Sequence, residues 1–258
     1  MEILVTNDDG IYADGLWALA EELQKVGSVT IVAPDREQSG VGTSVTLHQP
    51  LRISKVRSRL KGIATYMVEG TPADSVILAL KTVVKEKIDI IVSGINEGPN
   101  LGNDVFVSGT VGAALQSYFY KIPAIALSIR AFENPHFDAA AKLASLLARK
   151  VDDRSLPPKI LLNVNLPNLP LEELKGIEIT TLGDRDYHDQ IEPGHDGKRQ
   201  YYWITRGEAH WHITPGSDIW ALEQNKVSIT LLPGNHNNPI NQLLQKLAPI
   251  LFQELLTR

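Results

Sequence analysis

Two adjacent carboxylates near the start of the chain are its clearest candidates for chemistry. The apolar run Ile3–Val5 predicts a buried strand, and the sequence Asn-Asp-Asp-Gly follows it at residues 7–10. In an open α/β sheet, ligands bind at the edge formed by the carboxyl ends of the strands. Asp8 and Asp9 repel each other and lose solvation at such an edge, so a positive partner is expected there. A divalent cation is the partner that fits best.

Two later loops carry polar side chains that belong at the same edge. One follows the predicted strand Val29–Ala33 over residues 34–40, and the other follows Ile88–Val92 over residues 93–104. Both loops are rich in oxygen donors and glycine, which suits Mg²⁺, Mn²⁺ or Ca²⁺ better than zinc. A single Asp or Asn in such a loop more often serves a turn or a helix cap. This alternative is weaker for the acidic pair, because its members are adjacent and directly follow a buried strand.

A predicted helix start at Ser108, Gly109 and Thr110 is a candidate anion site. Free backbone N–H groups, hydroxyls and a glycine that permits close approach are features of helix N-termini that bind phosphate. The alternative is an ordinary N-cap followed by small residues for tight helix packing, and taken alone this alternative is favoured. Beside a metal site, phosphate binding becomes the better interpretation.

The elements that would position these loops alternate between strand and helix. Amphipathic helical stretches such as Asp14–Val26 and Phe137–Lys150 separate short apolar strands, and Ile88–Val92 is apolar almost throughout. Strands of that kind are covered by helices on both faces. Thr71 and Pro72 indicate the start of a further helix. The alternation predicts an α/β fold with a mostly parallel, doubly wound sheet between two layers of helices.

The character of the sequence changes after about residue 176. Residues 184–195 and 200–205 flank a turn rich in Gly, Asp and Pro, and they predict a protruding β-hairpin. The chain closes with an apolar helical stripe, which Pro249 is expected to kink or break. By default this stripe docks on the core of its own chain. The sharper alternative is exchange of the terminal elements between subunits.

Composition excludes several classes of function. The 258 residues include no cysteine, which rules out disulfides, thiolate zinc sites and cysteine nucleophiles. The net charge of −5 provides no bulk basic surface for a nucleic-acid polymer. The sequence has no secretory signal pattern and no apolar run near the roughly 20 residues of a membrane span, so we expect a cytoplasmic protein without a membrane partner.

Five short motifs occur in a specific order along the chain. They are Ile3–Ile11, Ala33–Gly40, Gly70–Asp74, Ser93–Gly102 and Ser108–Ala114. Together they resemble the SurE family of stationary-phase survival proteins, which are metal-dependent nucleotidases. The resemblance implies a Rossmann-like three-layer core, with a hairpin and C-terminal tail exchanged between the subunits of a homodimer or homotetramer. We therefore expect one SurE-like domain, with a core over about 1–180 and an extension over about 181–258.

The resemblance also implies a site and a reaction. The implied ligands of one Mg²⁺ or Mn²⁺ per subunit are Asp8, Asp9, the Ser39 hydroxyl and the Asn96 side chain. These residues lie in the three loops that residue chemistry singles out. The expected reaction is hydrolysis of nucleoside 5′- and 3′-monophosphates, with the phosphate held at residues 108–110. Asp8 or Asp9 is the expected base, since each has one oxygen for the metal and one for water.

Two other functions stay open at this point. A broad phosphatase or exopolyphosphatase could use the same residues, with nucleotides as incidental substrates. A nucleotide-sensing protein could bind without turnover. The paired carboxylates argue against the sensor, because a pure anion receptor favours Arg or Lys.

Overall fold

The computed structural model describes most of the chain in five segments. These are residues 1–131, 133–187, 189–206, 210–233 and 238–257. Their strands form a central nine-stranded sheet and two small two-stranded sheets. Within these segments, no helix is both long enough and apolar enough to cross a membrane.

Strands and helices alternate through the first part of the chain, as the sequence predicts. In chain order they are β1 (Glu2–Thr6), α1 (Asp14–Leu23), β2 (Ser28–Pro34), β3 (Ile53–Lys55), β4 (Ala64–Val68), α2 (Pro72–Leu78), β5 (Ile90–Glu97), α3 (Gly109–Phe119), β6 (Ala124–Arg130), α4 (Phe137–Asp152), β7 (Leu161–Pro167) and β8 (Ile177–Thr180). A wider helical turn extends α2 over Ala79–Val83, and a 3₁₀ turn over Gly102–Phe106 precedes α3.

The remainder of the chain forms small strands, the predicted hairpin and two helices. These elements are β9 (Asp184–Asp186), β10 (Asp189–His195), β11 (Gln200–Arg206), β12 (His210–His212), α5 (Asp218–Glu223), β13 (Val227–Leu231) and α6 (Pro239–Leu256). Strands β10 and β11 pair antiparallel and form the hairpin. Its first strand is shorter than predicted, because β9 pairs with β12 instead.

The central sheet is mostly parallel and has the order β3-β4-β2-β1-β5-β6-β7-β13-β8. Within the described residues, six of the eight neighbouring pairs are parallel, and only β3–β4 and β7–β13 are antiparallel. Strand β13 comes from the predicted extension but lies inside the sheet, between β7 and β8. The extension therefore contributes to the core.

Helices cover both faces of the sheet, which confirms the predicted three-layer α/β/α architecture. Successive side chains of a strand point to opposite faces. Accordingly, Ile3 and Val5 of β1 belong to the core cluster that includes residues of α1 and α4, whereas Leu4 joins the cluster that includes residues of α2 and α3. All three side chains are fully buried. Strand β1 is thus covered on both sides, and its carboxyl end is fixed in position.

The terminal helix is continuous at Pro249, where the sequence predicts a kink or a break. Helix α6 runs through Pro249, although proline removes a backbone hydrogen bond and clashes with the preceding turn. Leu244, Leu251 and Leu255 are fully buried, and α6 packs against α4 and β8 of its own chain. Burial of this apolar stripe offsets the cost of the proline. The stripe thus docks on its own core, which is the default interpretation.

Candidate active site

The acidic pair lies in a tight turn at the carboxyl end of β1. The Asn7 side-chain amide donates to the carbonyl of Gly10 at 3.0 Å, which closes the turn. Gly10 has φ +94°, and a side chain there would meet the backbone of Arg36 at 3.0 Å, so the position requires glycine. The turn leaves Asp8 with only 4% of its surface exposed. The carboxylates are therefore held by backbone geometry at the predicted edge of the sheet.

Burial perturbs both carboxyl groups. Desolvation raises the pKa of Asp8. Desolvation, followed by the charge of Asp8, raises the pKa of Asp9 to about 7, although a hydrogen bond from the backbone of Glu97 opposes this. One oxygen of Asp9, Oδ2, is buried without a hydrogen-bond partner among the described residues. Two such groups, one with an orphaned oxygen, fit a cation that would stabilise both in the charged form.

Ser39 reaches the site because its loop is tied to the acidic turn. The backbone N–H of Gln38 donates to the carbonyl of Asp8 at 2.7 Å, and the N–H of Ile11 donates to the carbonyl of Pro34 at 2.8 Å. Ser39 is exposed, and its hydroxyl donates to Glu37 Oε1 at 2.7 Å. The oxygen of that hydroxyl keeps lone pairs for a cation.

Asn96 reaches the site through an irregularity in β5. The register between β5 and β6 shifts between Ser93 and Asn96. A Cβ at Gly94 would lie 2.3 Å from the carbonyl oxygen of Leu127, so only glycine permits this close approach. The Asn96 amide nitrogen donates to the carbonyl of Gly98 at 2.6 Å, which orients the amide oxygen away from that bond. Bulges of this kind re-aim a side chain at the edge of a sheet.

The structure brings most of the predicted metal ligands to one cleft. Asp8, Ser39 and Asn96 line a cleft of about 700 Å³, and Asp9 lies behind it beside Glu97. In the described part of the chain, no group of three or more His, Cys, Asp or Glu side chains is placed to hold a metal ion. The candidate set instead combines two carboxylates with a hydroxyl and an amide, and all-oxygen sets suit Mg²⁺ or Mn²⁺.

Helix α3 begins directly against Asp8. Ser108 is the N-cap, and its hydroxyl oxygen accepts from the backbone N–H of Val111 at 3.1 Å. A Cβ at Gly109 would lie 2.7 Å from the Cβ of Asp8, so glycine is needed for this approach. Ser108 lines the cleft, and its hydroxyl proton stays available to a ligand. The positive end of the helix therefore lies against Asp8 and beside the cleft, where it could attract an anion.

The hydroxyl of Thr110 contacts Asp8, whereas the sequence suggests that it contacts phosphate. Its hydroxyl donates to Asp8 Oδ1 at 2.5 Å, and the side chain is fully buried. That proton is committed to a candidate metal ligand and is not available to phosphate. The hydroxyl of Thr110 therefore orients Asp8, while contact of residues 108–110 with phosphate stays a prediction.

A buried asparagine network lies behind Thr110, and the sequence analysis missed it. The side-chain amide of Asn100 donates to Ser128 at 2.8 Å, and its backbone N–H donates to the side-chain oxygen of Asn165 at 2.8 Å. The side chains of Asn163 and Asn165 in turn donate to the Asn100 carbonyl. The signal was available in the sequence, because Asn163 and Asn165 alternate with apolar residues in an otherwise apolar strand. The network fixes the loop between β5 and α3.

The far wall of the cleft comes from residues that no motif contains. Arg185 pairs with Asp104 at 2.9 Å, and Trp211 lines the cleft beside it. Asp218 is fully buried and accepts from the backbone N–H groups of Gly102 and Gly183, each at 2.8 Å. Burial raises the pKa of Asp218, and these backbone donors oppose the rise. The carboxylate joins the 3₁₀ turn before α3 to the loop before β9, so the wall depends on contacts between distant segments.

Comparison with known proteins agrees with this architecture. The family model described as Survival protein SurE matches residues 3–189. A protein of Geobacter sulfurreducens named 5′-nucleotidase SurE is 49% identical over 236 residues, covering 90% of this chain and 87% of the relative. A protein of the same name from Dehalococcoides mccartyi strain CBDB1 is 47% identical over 234 residues, covering 90% of this chain and 88% of the relative.

A solved structure extends the comparison to the fold. The crystal structure of the SurE protein from Aquifex aeolicus matches with a TM-score of 0.76 and 39% identity, covering 95% of this chain and 98% of that chain. The matches to these relatives and to this structure each cover at least 90% of the chain. The chain belongs to the SurE family.

Proposed function

We propose that the protein is a metal-dependent phosphomonoesterase that hydrolyses nucleoside 5′- and 3′-monophosphates to nucleoside and phosphate. One observation carries the proposal: the buried carboxylate of Asp8, with Asp9 next to it in the chain, lines an oxygen-rich cleft against the start of α3. The relatives named 5′-nucleotidase support the same activity. An anion receptor without turnover would have little use for two adjacent buried carboxylates.

The proposed ligands of one divalent cation, Mg²⁺ or Mn²⁺, are Asp8, Asp9, Ser39 and Asn96. When bound, such a cation would supply positive charge for the phosphate in the transition state and would make a nearby water easier to deprotonate. Support comes from the orphaned oxygen of Asp9 and the raised pKa values of both carboxyl groups, since each feature implies a missing positive partner.

Residues of the chain bind the phosphate, orient Asp8 and supply the base. The Ser108 hydroxyl and the backbone N–H groups at the start of α3 bind phosphate oxygens, aided by the helix dipole. Thr110 holds Asp8 in one orientation through their hydrogen bond. Asp8 or Asp9 is the candidate base, since each has one carboxylate oxygen for the cation and one that could accept a proton from water.

Phosphate release from a substrate panel tests the proposal. The panel contains AMP, GMP, 3′-AMP, p-nitrophenyl phosphate and polyphosphate, assayed with chelator and after addition of Mg²⁺ or Mn²⁺. We expect the nucleotides to give the highest kcat/KM and the chelator to abolish release. Preference for polyphosphate would favour an exopolyphosphatase, and metal-dependent binding of AMP without release would favour a sensor.

We also propose that the protein forms a homodimer or homotetramer through residues 181–258. The hairpin supports this, because its apolar side chains are widely exposed: Ile191 (56%), Tyr202 (59%), Trp203 (65%) and Ile204 (73%). Exposed apolar patches of this kind mark interaction surfaces. Light scattering after size exclusion would measure the mass, with the Trp203→Ser variant expected to shift it towards the monomer.

A cytoplasmic location fits the cysteine-free composition.

A further inference from the structure

The cleft beside Asp8 has two ends of different chemistry. One end presents the oxygen donors of the candidate metal site. The other is lined by apolar side chains and two arginines: Leu101, Ile219, Trp211, Arg130 and Arg185. A nucleoside monophosphate has the same division, with a dianionic phosphate at one end and a flat, uncharged base at the other.

The arginines at the far end carry no unbalanced charge. Arg130 pairs with Glu223 at 2.6 Å, and Arg185 pairs with Asp104 at 2.9 Å. They are the only cationic side chains among the described residues that line the cleft. A polyphosphate chain extending from the metal site would require unpaired cations along its path. The far end therefore favours an uncharged group.

Trp211 is held rigidly at this end. It lies opposite Arg185 in the register of β9 and β12, and the guanidinium carbon lies 4.8 Å from the centre of the indole ring. The same guanidinium lies 4.3 Å from the ring of Tyr187. Trp211 also packs against an apolar cluster of Leu101, Ile219 and Leu222. A ring fixed from several sides loses little entropy when a ligand stacks on it.

We propose that Trp211 is the surface on which the base of the substrate stacks, and that Arg185 is the residue that fixes the ring in place. The inference rests on the proposed nucleotidase function and deepens it. Every base has a π-face, so stacking on an indole tolerates differences in base identity. AMP and GMP should therefore both be substrates, and contact with the base should contribute mainly to KM.

Ribose 5-phosphate is the substrate that isolates this contact, because it lacks only the base of AMP. We expect Trp211→Ala to lower kcat/KM for AMP by about 10-fold, the scale of one base–aromatic stack. We expect kcat/KM for ribose 5-phosphate to stay within about 2-fold. Trp211→Phe keeps an aromatic face and should restore most of the activity towards AMP. Arg185→Met should also lower kcat/KM for AMP, through a higher KM, because Arg185 would no longer hold the indole ring in place.

Trp220→Ala is the matched control, because Trp220 is a half-buried tryptophan under Lys226, at 5.3 Å, outside the cleft. It should leave the ratio of the two substrates unchanged. An equal loss of activity on both substrates in Trp211→Ala, or no loss on either, would overturn the proposal. If the wild type releases no phosphate from AMP, the proposed function fails instead. Calorimetry of AMP binding then decides the stacking, and equal affinity in wild type and Trp211→Ala overturns it.

Discussion

Two cavities lie at opposite edges of the central sheet, and the larger one is not the candidate active site. The cavity at the amino ends of the strands measures about 890 Å³, and the cleft at the carboxyl ends about 700 Å³. Most charged groups of the amino-edge cavity are exposed, such as Lys87, Lys121 and Arg154. At the carboxyl edge, Asp8 is buried against Gly109, the first residue of α3. Desolvated charge, rather than volume, marks the candidate site.

The largest expected effect is for a substitution at the carboxyl edge of the sheet, which can be compared directly with one at the amino edge. Asp8→Asn keeps the shape of the side chain but removes a charge from the proposed metal site. We expect kcat/KM for AMP to fall on the order of 10³-fold or more, since metal stabilisation of a phosphoryl transition state is worth several kcal/mol. Phosphate release measures the loss, and circular dichroism checks that the fold is kept.

The matched control is Asp89→Asn at the amino edge. Asp89 accepts from the backbone N–H of Glu2 at 2.8 Å, and an asparagine oxygen can replace this acceptor. Activity should stay within about 2-fold of wild type. Near wild-type turnover in Asp8→Asn would refute the metal assignment, and a comparable loss in Asp89→Asn would refute the distinction between the edges.

A second prediction concerns stability without metal. The pKa of Asp9 is raised to about 7 in the folded state, so the folded protein favours the protonated carboxyl. The unfolded chain releases that proton near pH 4. Stability is therefore lost as pH rises from about 4 to about 7, by up to about 4 kcal/mol at 1.36 kcal/mol per pKa unit. Burial of Asp8 acts in the same direction.

Asp9→Asn removes this penalty and provides the measurement. With chelator at pH 8, the variant should unfold at higher denaturant than wild type, and the difference should shrink towards pH 4. Mg²⁺ or Mn²⁺ should stabilise wild type more than the variant. A pH-independent difference between the two proteins would contradict the prediction.

A smaller effect is expected from the hydroxyl behind Asp8. Thr110→Val keeps the size of the side chain but removes the hydrogen bond to Asp8. Hydrogen bonds to charged groups contribute about 1.5–3 kcal/mol, so affinity for Mn²⁺ should fall about 10-fold or more. Calorimetric titration of Mn²⁺ measures this independently of turnover.

Ser117→Ala tests whether the effect is specific to Asp8. Ser117 is also buried on α3, but its hydroxyl donates to the carbonyl of Ala113 at 2.9 Å, away from the site. Its replacement should cost some stability and leave Mn²⁺ affinity unchanged. Equal affinities in Thr110→Val and wild type would remove Thr110 from the site.

The sequence predicted the features that depend on local chemistry. Thr71 and Pro72 start α2 with a capping box completed by Asp74, as residue types at those positions favour. The carboxyl ends of parallel strands must share an edge, and this rule brought three loops together. The family resemblance then indicated Asp8, Ser39 and Asn96 within them. The alternation of elements likewise predicted the three-layer fold, because each helix follows its strand in the chain.

The sequence did not predict the features that depend on packing between distant segments. Arg185 is 81 residues from its partner Asp104, and no local pattern connects them. The commitment of Thr110 to Asp8 follows from how closely α3 approaches β1, which Gly109 permits but does not reveal. Pro249 was expected to kink or break α6 on local grounds, and the helix continues through it with its apolar stripe buried against the core.

The smallest expected effect lies at the amino edge and tests whether the larger cavity takes part in substrate binding. Arg154 has φ +63°, a conformation that costs an L-residue roughly 1–2 kcal/mol and glycine almost nothing. Arg154→Gly removes a cation from the larger cavity and also removes the conformational cost of the positive φ. Against this, glycine loses about 0.5–1 kcal/mol more conformational entropy on folding. Unfolding in denaturant should therefore show a change of no more than about 1.5 kcal/mol, and KM for AMP should stay within about 2-fold. A tenfold rise in KM would show that the larger cavity takes part in substrate binding, and that desolvated charge is an insufficient guide to the active site of this fold.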